Sequence, residues 1–243
     1  MFKKKVFQIV DIFFIVVFSL LIVFSIYKIV NWKLNNNRNH KINSELREYI
    51  IVGGNDKYNI DFPSLKEKNP DTIAYLMVPG TRIDYVIVRG ENNDYYLNHN
   101  FNKENNQSGW IFADYKNQFD GTDKNIVIYG HNTLDKSMFG SLKDTLSKEW
   151  YLNKNNHKII LVTENGLEKY EVFSIYKIDN EDYYITTNFN DSASYKKFLS
   201  KIKSRSIHNF DVTLEESDQI LTLSTCANNG SKRVVLHAKK INE

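Results

Sequence analysis

The sequence LTLSTC at residues 221–226 decides how the rest of the chain is interpreted. Its residues alternate between two faces, with Leu221 and Leu223 on the same side, the period of two that is typical of a half-buried β-strand. Residues 228–231 (NNGS) then supply turn-forming side chains. A second β pattern follows at 233–238 (RVVLHA). We therefore predict a hairpin that places an arginine close to a cysteine.

Cys226 is the single cysteine of the chain. A lone cysteine is often a small buried hydrophobic residue, and that structural role is one interpretation. Its place at the end of a predicted strand, where a side chain can face a cleft, favours a chemical role instead. So does His131, a candidate base that also follows an apolar strand, residues 125–130 (NIVIYG). The pattern predicts a cysteine–histidine pair with the cation Arg233 nearby.

The motif TLSTC at 222–226, followed by Arg233 and preceded upstream by YGHN at 129–132, resembles the active site of the sortases. These are the cysteine transpeptidases that attach surface proteins to the Gram-positive cell wall, and the TLSTC form is most similar to class B. Further pieces of the class B pattern occur in the same order along the chain: 83–85 (IDY), 94–100 (DYYLNHN), 108–112 (SGWIF) and 137–139 (SMF). The resemblance covers about residues 62–240 and implies the eight-stranded sortase β-barrel.

The resemblance also implies a role for each site residue. Cys226 would attack the carbonyl of a threonine in a C-terminal sorting signal and form a thioester, while His131 would protonate the departing amine. Arg233 would hold the substrate carbonyl and stabilise the oxyanion. An amine of a peptidoglycan precursor would then resolve the thioester, transferring the surface protein to it. Similarity to class B further implies that four residues contact the substrate: Asn98, Tyr184, Ile185 and Ser224.

Several of these positions have a plainer interpretation. His237 shares a strand face with Arg233, because the two are four residues apart, and it is the rival base to His131. The turn-permitting glycine before His131 favours the latter. Tyr184 is equally compatible with an ordinary packing aromatic, and Ser224 with a strand hydroxyl. No residue that would orient His131 stands out from the sequence.

The first thirty residues predict a membrane anchor. Three lysines at 3–5 precede an apolar stretch at 12–30, which as a helix would span roughly 28 Å, about the hydrocarbon thickness of a bilayer. A cleaved signal peptide is the rival, but residues 27–33 (YKIVNWK) are bulky and charged where small residues would be needed. We therefore predict an uncleaved single-pass anchor in the cell membrane. The sortase resemblance places the catalytic domain on the extracellular side.

Three segments are predicted: a cytoplasmic tail and transmembrane anchor at 1–30, a spacer and N-terminal helix at 31–60, and a catalytic barrel at 61–243. Runs rich in Val, Ile, Tyr and Phe predict eight strands: 72–78, 83–89, 109–113, 125–129, 158–163, 169–178, 219–225 and 233–239. Peripheral helices are predicted at about 137–147 and 192–202. The fold class is mainly β, a closed or nearly closed barrel.

Charge and composition exclude several classes of function. The formal net charge of +3 is accounted for by residues 1–30, where four lysines oppose one aspartate. The remaining domain is close to neutral and lacks the basic character that nucleic-acid binding requires. A single cysteine excludes an internal disulfide, and neither a zinc-type Cys/His spacing nor a calcium-type carboxylate cluster is present in the sequence. We expect no metal or cofactor.

Two other functions remain open. One is a cysteine peptidase that hydrolyses the same kind of peptide. Papain-like enzymes place the cysteine before the histidine, whereas here His131 precedes Cys226, but hydrolysis by a sortase fold is still possible. The other is a non-enzymatic, membrane-tethered barrel that binds a wall component, in which Cys226 would be dispensable.

Overall fold

The computed structural model describes residues 2–54, 57–179, 181–226 and 232–241, and for residues 2–10 and 226 it describes the backbone alone. The chain divides into two compact units, Met1–Arg38 and Asn39–Glu243. Most of the first unit is part of one long helix, and the second unit is built around a β-barrel.

The helix α1 (Phe2–Leu46) is continuous over 45 residues. Between residues 12 and 30 its large apolar side chains are exposed, and an 18-residue window within Asp11–Tyr49 has a mean hydropathy of 2.6. A helix of this length and composition can cross a bilayer. The polar stretch 31–41, which the sequence suggests is a spacer, is helical as well. Its Asn-rich composition has a low intrinsic helix propensity, but such propensities are weak, and here the helix continues on both sides of the stretch.

A small antiparallel hairpin, β1 (Ile50–Gly53) and β2 (Lys57–Ile60), follows and was not expected from the sequence. Gly53 ends β1 and pairs with Lys57, so these two strands lie within the region 31–60 in which a spacer and an N-terminal helix are predicted. The short helix α2 (Phe62–Lys68) comes next. It begins at Asp61, whose carboxylate accepts a hydrogen bond from the Ser64 amide at 3.1 Å, the usual N-cap arrangement.

Eight strands close into a barrel, which confirms the predicted fold class. They are β3 (Thr72–Met77), β4 (Asp84–Val88), β5 (Phe112–Ala113), β6 (Asn125–His131), β7 (Lys158–Thr163), β8 (Gly166–Ile178), β9 (Ile220–Cys226) and β10 (Arg233–Ile241). Around the barrel their order is β10-β8-β7-β3-β4-β5-β6-β9, and β9 also pairs with β10. Fully buried apolar side chains such as Leu221, Leu223 and Leu236 share one face of this closed sheet.

Two of the strand pairs, β4–β5 and β6–β9, are parallel, whereas the other pairs in the barrel are antiparallel. Parallel neighbours end at the same edge of a sheet. The carboxyl ends of β6 and β9, which lie about 95 residues apart in sequence, are therefore brought together at one rim of the barrel.

The prediction of a helix at about 137–147 is wrong. Met138 has φ 47°, outside the right-handed helical region, and so does Lys136 at φ 64°. The segment instead forms a turn, a 3-10 helix over Leu142–Leu146 and the short helix α3 (Lys148–Leu152). The second peripheral helix is observed as α4 (Ser192–Ser204), which begins with a capping box at Asp191.

The strand expected at 109–113 is shorter than predicted and includes residues 112–113 alone. The Trp110 amide donates to the carbonyl of Tyr96 at 2.9 Å rather than to a strand, and its indole Nε1 donates to the Val86 carbonyl at 2.8 Å. Gly109 turns the chain at φ +53°. Trp110 is thus hydrogen-bonded to the start of its own loop, which runs over residues 94–111. This loop also carries Leu97, which lies at one rim of the barrel.

Candidate active site

The parallel register of β6 and β9 pairs His131 with Cys226. Each is the last residue of its strand, and neighbouring strands lie about 4.8 Å apart. Paired residues in adjacent strands project their side chains from the same face of a sheet. The backbones of the two residues are therefore side by side at the rim, although the Cys226 side chain and the turn at 227–231 lie outside the described residues.

His131 is held by a backbone carbonyl. Its Nε2 lies 2.7 Å from the Leu97 oxygen, and because a carbonyl can accept but not donate, Nε2 must carry the hydrogen. A neutral ring in this tautomer has its lone pair on Nδ1, the nitrogen at which it can take up a proton. The Leu97 carbonyl is thus the orienting group that sequence reasoning missed. A backbone acceptor leaves no side-chain pattern by which it could have been found.

Arg233 opens β10 beside these strand ends, and 19% of its side chain is exposed. Its Nη1 donates to Asp182 Oδ1 at 2.9 Å and to the Tyr184 hydroxyl at 3.2 Å. Burial alone would lower the pKa of the guanidinium, but the hydrogen bonds to Tyr184 and Asp182 outweigh it and raise that pKa. The side chain is a fixed cation in the wall of the rim. Asp182 is a second residue that the sequence analysis did not assign to the site.

Two of the expected substrate contacts lie beneath this cation. Tyr184 is fully buried, and its hydroxyl lies 2.9 Å from Ser224 Oγ, which is itself 1% exposed. The phenol therefore links the guanidinium of Arg233 to the strand that ends at Cys226. The Val234 amide, donating to Thr225 Oγ1 at 2.8 Å, adds a further tie between β10 and β9.

A groove of about 280 Å³ opens at this rim. Its walls mix apolar and polar groups from both sides of the strand ends, including Leu97, Phe112, Tyr129, Ile185, Ser224 and Arg233. A mainly apolar groove with a few convergent polar groups is the usual form of a binding site. The rim therefore combines a histidine, a cation and a groove around the end of the strand that carries Cys226.

A sortase domain family model matches residues 76–241 of the chain. Sortase B of Staphylococcus aureus is 33% identical over 98% of this chain and 98% of its own length, and sortase B of Listeria monocytogenes is 33% identical over 85% and 87%.

The chain belongs to the class B sortases.

The crystal structure of sortase B from Bacillus anthracis in complex with AAEK1 superposes on this sortase with a TM-score of 0.77 at 33% identity, covering 86% of this chain and 99% of that one. Membership of the family supports a cell-wall transpeptidase activity and, together with the apolar helix α1, agrees with a membrane-anchored protein. The roles of individual residues are a separate matter.

Asn98 of this sortase lies one residue beyond the carbonyl that contacts His131. Its side chain is exposed. Its backbone N–H donates to the Tyr95 carbonyl at 3.2 Å, and its backbone carbonyl accepts from the backbone N–H of Asn106 at 2.8 Å. The groove wall described above contains Leu97 and not Asn98. Asn98 therefore lies at the margin of the groove.

The rival base His237 is fully buried on the sheet face that α4 covers, because its register partner Ser174 donates to the Ile202 carbonyl of α4 at 2.6 Å. Its Nε2 lies 2.8 Å from the Tyr176 hydroxyl and its Nδ1 2.8 Å from Thr222 Oγ1. Burial lowers the pKa of His237 from 6.5 to about 3, so this ring is neutral at physiological pH. Both ring nitrogens of His237 are bonded to buried hydroxyls, whereas His131 ends β6 at the rim.

Proposed function

We propose that this chain is a membrane-anchored cysteine transpeptidase that cleaves a C-terminal sorting signal after threonine and transfers the surface protein to a peptidoglycan amine. The observation that carries the proposal is the register of β6 and β9, which pairs His131 with Cys226 at the rim next to Arg233. Nucleophilic catalysis by a thiol requires a base within reach and a site that stabilises negative charge.

In the first half-reaction, the sulfur of Cys226 attacks the threonine carbonyl, the peptide C–N bond breaks and a thioester forms. The departing amine takes a proton from the imidazolium of His131. In the second half-reaction, the peptidoglycan amine attacks the thioester and gives a proton to His131. The new amide bond forms as the thiolate leaves, so the enzyme returns to its starting state.

Arg233 stabilises the oxyanion that develops in both half-reactions. Its hydrogen bonds to Asp182 and Tyr184 fix the guanidinium at the groove wall before substrate arrives. A donor that is already in place needs no reorganisation when the charge appears, which is the source of its catalytic effect.

The remaining proposed contacts follow from their places around the groove. Ile185 lies in the groove wall and offers an apolar contact to the sorting signal, and Ser224 offers a hydroxyl from its floor. Tyr184 lies buried beneath the groove and acts indirectly, through its hydrogen bonds to Ser224 and Arg233. Asn98 would meet the end of a peptide that extends past the margin of the groove.

We further propose that the chain crosses the membrane once. The cytoplasmic tail and anchor would occupy residues 1–30, a connecting segment residues 31–60, and the catalytic barrel residues 61–243 on the extracellular side. The exposed apolar surface of α1 between residues 12 and 30 supports the anchor.

The test uses the full chain in detergent micelles, a library of threonine-containing sorting-signal peptides, and triglycine as the acceptor amine. Mass spectrometry should detect a covalent acyl-enzyme in the absence of acceptor and a ligated peptide in its presence. Cys226→Ala should give neither product. Free acid at every acceptor concentration would instead indicate a peptidase, and full activity of Cys226→Ala would exclude thiol catalysis and favour a wall-binding barrel.

A further inference from the structure

Two buried asparagines lie behind the loop that carries the Leu97 carbonyl. Asn39, in the last two turns of α1, is fully buried, and Asn106 is 1% exposed. The Asn106 Nδ2 donates to Asn39 Oδ1 at 2.8 Å, and the Asn39 Nδ2 donates to the Gly109 carbonyl at 2.9 Å. Asn106 Oδ1 also accepts a hydrogen bond from the backbone amide of Ser108 at 2.9 Å. Breaking a buried hydrogen bond of this kind is costly, because the polar group that remains is out of reach of water.

The backbone of the segment that these two side chains hold, residues 106–110, supports the loop on both sides of Leu97 through main-chain hydrogen bonds. The backbone N–H of Asn106 donates to the carbonyl of Asn98 at 2.8 Å, and the backbone N–H of Trp110 donates to the carbonyl of Tyr96 at 2.9 Å. The residues before and after Leu97 are therefore fixed by hydrogen bonds from the segment that Asn39 and Asn106 hold. The direction of the Leu97 carbonyl depends on these two anchor points.

Gly109 shows how closely the two parts of the loop approach each other. Its φ of +53° favours glycine, and a Cβ at this position would lie 2.3 Å from the Tyr96 carbonyl oxygen. The side-chain amide of Asn39 donates to the carbonyl of Gly109. The last turns of α1 are thus in contact with the tightest point of the loop that orients His131.

We propose that Asn39 and Asn106 are positioning residues for His131, which they hold in its Nε2–H tautomer through the Leu97 carbonyl. This inference rests on the proposed role of His131 as the acid and base of the reaction. Neither asparagine contacts the groove, so their loss would slow the chemical steps and leave binding of the peptide nearly unchanged. The helix that begins as the membrane anchor would therefore also help to assemble the site.

The test compares Asn39→Ala and Asn106→Ala in the full chain in detergent micelles. Each should lower kcat about tenfold, as loss of alignment of a general acid–base does, with KM for the sorting-signal peptide within twofold of wild type. Because the two side chains act as one unit, the double variant should lose no more than the worse single variant. Multiplicative losses would overturn the shared role.

The matched control is Asn156→Ala. Asn156 is also a buried asparagine that donates to a backbone carbonyl, that of Trp150 at 3.1 Å, but it lies in the turn before β7, outside the elements that form the groove. It should lose a similar amount of thermal stability with kcat unchanged. A kcat for Asn39→Ala equal to that of Asn156→Ala would contradict the proposal.

A spectroscopic readout separates this proposal from the proposed function. In ¹⁵N-histidine-labelled wild type, the Nε2–H proton of His131 should be protected from exchange by its bond to Leu97, and both asparagine variants should lose that protection. Retained protection would overturn the proposal whatever the activity. An active His131→Ala enzyme would overturn the proposed role of His131 in the reaction, but not the positioning of its ring, which the protection measures. Should an alanine variant fail to fold, Asn39→Ser, which is too short to span both partners, carries the same test.

Discussion

Arg233 and Tyr184 are joined by a hydrogen bond of 3.2 Å from the guanidinium Nη1 to the phenol oxygen. The same phenol oxygen lies 2.9 Å from the hydroxyl of Ser224. One buried hydroxyl therefore connects the proposed oxyanion-stabilising cation to the strand of the proposed nucleophile.

Tyr184→Phe should lower kcat about tenfold, because the ring still fills its place in the core while the Arg233 guanidinium loses its hydrogen bond to the phenol. Steady-state kinetics with a sorting-signal peptide measures this. Tyr195→Phe is the control, since the Tyr195 hydroxyl donates to the carbonyls of Lys124 and Asp218 rather than to groove residues. Equal kcat values for the two variants would remove the Tyr184 hydroxyl from the mechanism.

Arg233→Lys should reduce kcat by about a hundredfold or more, the usual cost of losing an oxyanion donor. Lysine keeps the charge but lacks the planar fork that can contact Asp182, Tyr184 and substrate together. Arg205→Lys is the matched control, because Arg205 forms a partly exposed ion pair with Glu181 at 3.3 Å, which is worth little. Near-normal turnover by Arg233→Lys would show that another group stabilises the oxyanion.

Gly130→Ala should impair both stability and activity. A Cβ at residue 130 would lie 2.7 Å from Cγ of Phe139, so either the ring or the end of β6, and with it His131, must shift. We expect a loss of about 1–3 kcal/mol in the free energy of unfolding, measured by denaturant titration. Gly54→Ala should have little effect, since none of the residues that the structure describes lies within 4 Å of the added carbon.

The compensating variant tests the cause. Adding Phe139→Leu to Gly130→Ala removes the part of the ring that meets the new carbon and should restore part of the lost activity. If the double variant is no more active than Gly130→Ala alone, the contact with Phe139 is not what limits residue 130.

His237 should make the barrel sensitive to acid. The unfolded chain binds a proton on this histidine below about pH 6.5, whereas the folded chain does not until about pH 3. The free energy of unfolding should therefore fall by about 1.4 kcal/mol per pH unit from this residue as pH decreases between those values. His237→Gln should remove that contribution, seen as a shallower dependence of stability on pH between 6 and 4. Parallel curves for the two proteins would contradict it.

The extracellular placement of the barrel can be tested by thiol labelling of intact cells. Leu152 is 64% exposed on the barrel unit, so Leu152→Cys in a Cys226→Ala background gives a single accessible thiol. A membrane-impermeant maleimide should label it without cell lysis, and should not label Cys226→Ala alone. Labelling that requires lysis would place the barrel in the cytoplasm.

The barrel was predictable from the sequence because its strands carry apolar, β-branched and aromatic runs that are separated by turn residues. Local contacts that override propensity were not predictable. The positive φ of Met138 breaks an expected helix, and the bond from the Trp110 amide to Tyr96 shortens an expected strand. Both depend on partners that lie elsewhere in the chain.

The residues of the candidate site could be chosen from their motif, but their supports could not. Leu97 contacts His131 through its main chain, a contact to which any residue type could contribute. Asp182 follows Glu181 in an ordinary acidic pair, and nothing in the sequence relates it to Arg233, 51 residues later. The burial of His237 was likewise undecided, because alternation assigns a residue to one face of a strand but does not show what covers that face.

The parallel pairing of β6 with β9 also governs when activity can arise. The proposed base lies near the middle of the chain and the proposed nucleophile near its end, and no hairpin joins their strands. A chain in which residues 220–226 have not yet been added has no partner for this edge of β6. If the proposed pair carries the reaction, activity can arise only once β9 has paired with β6.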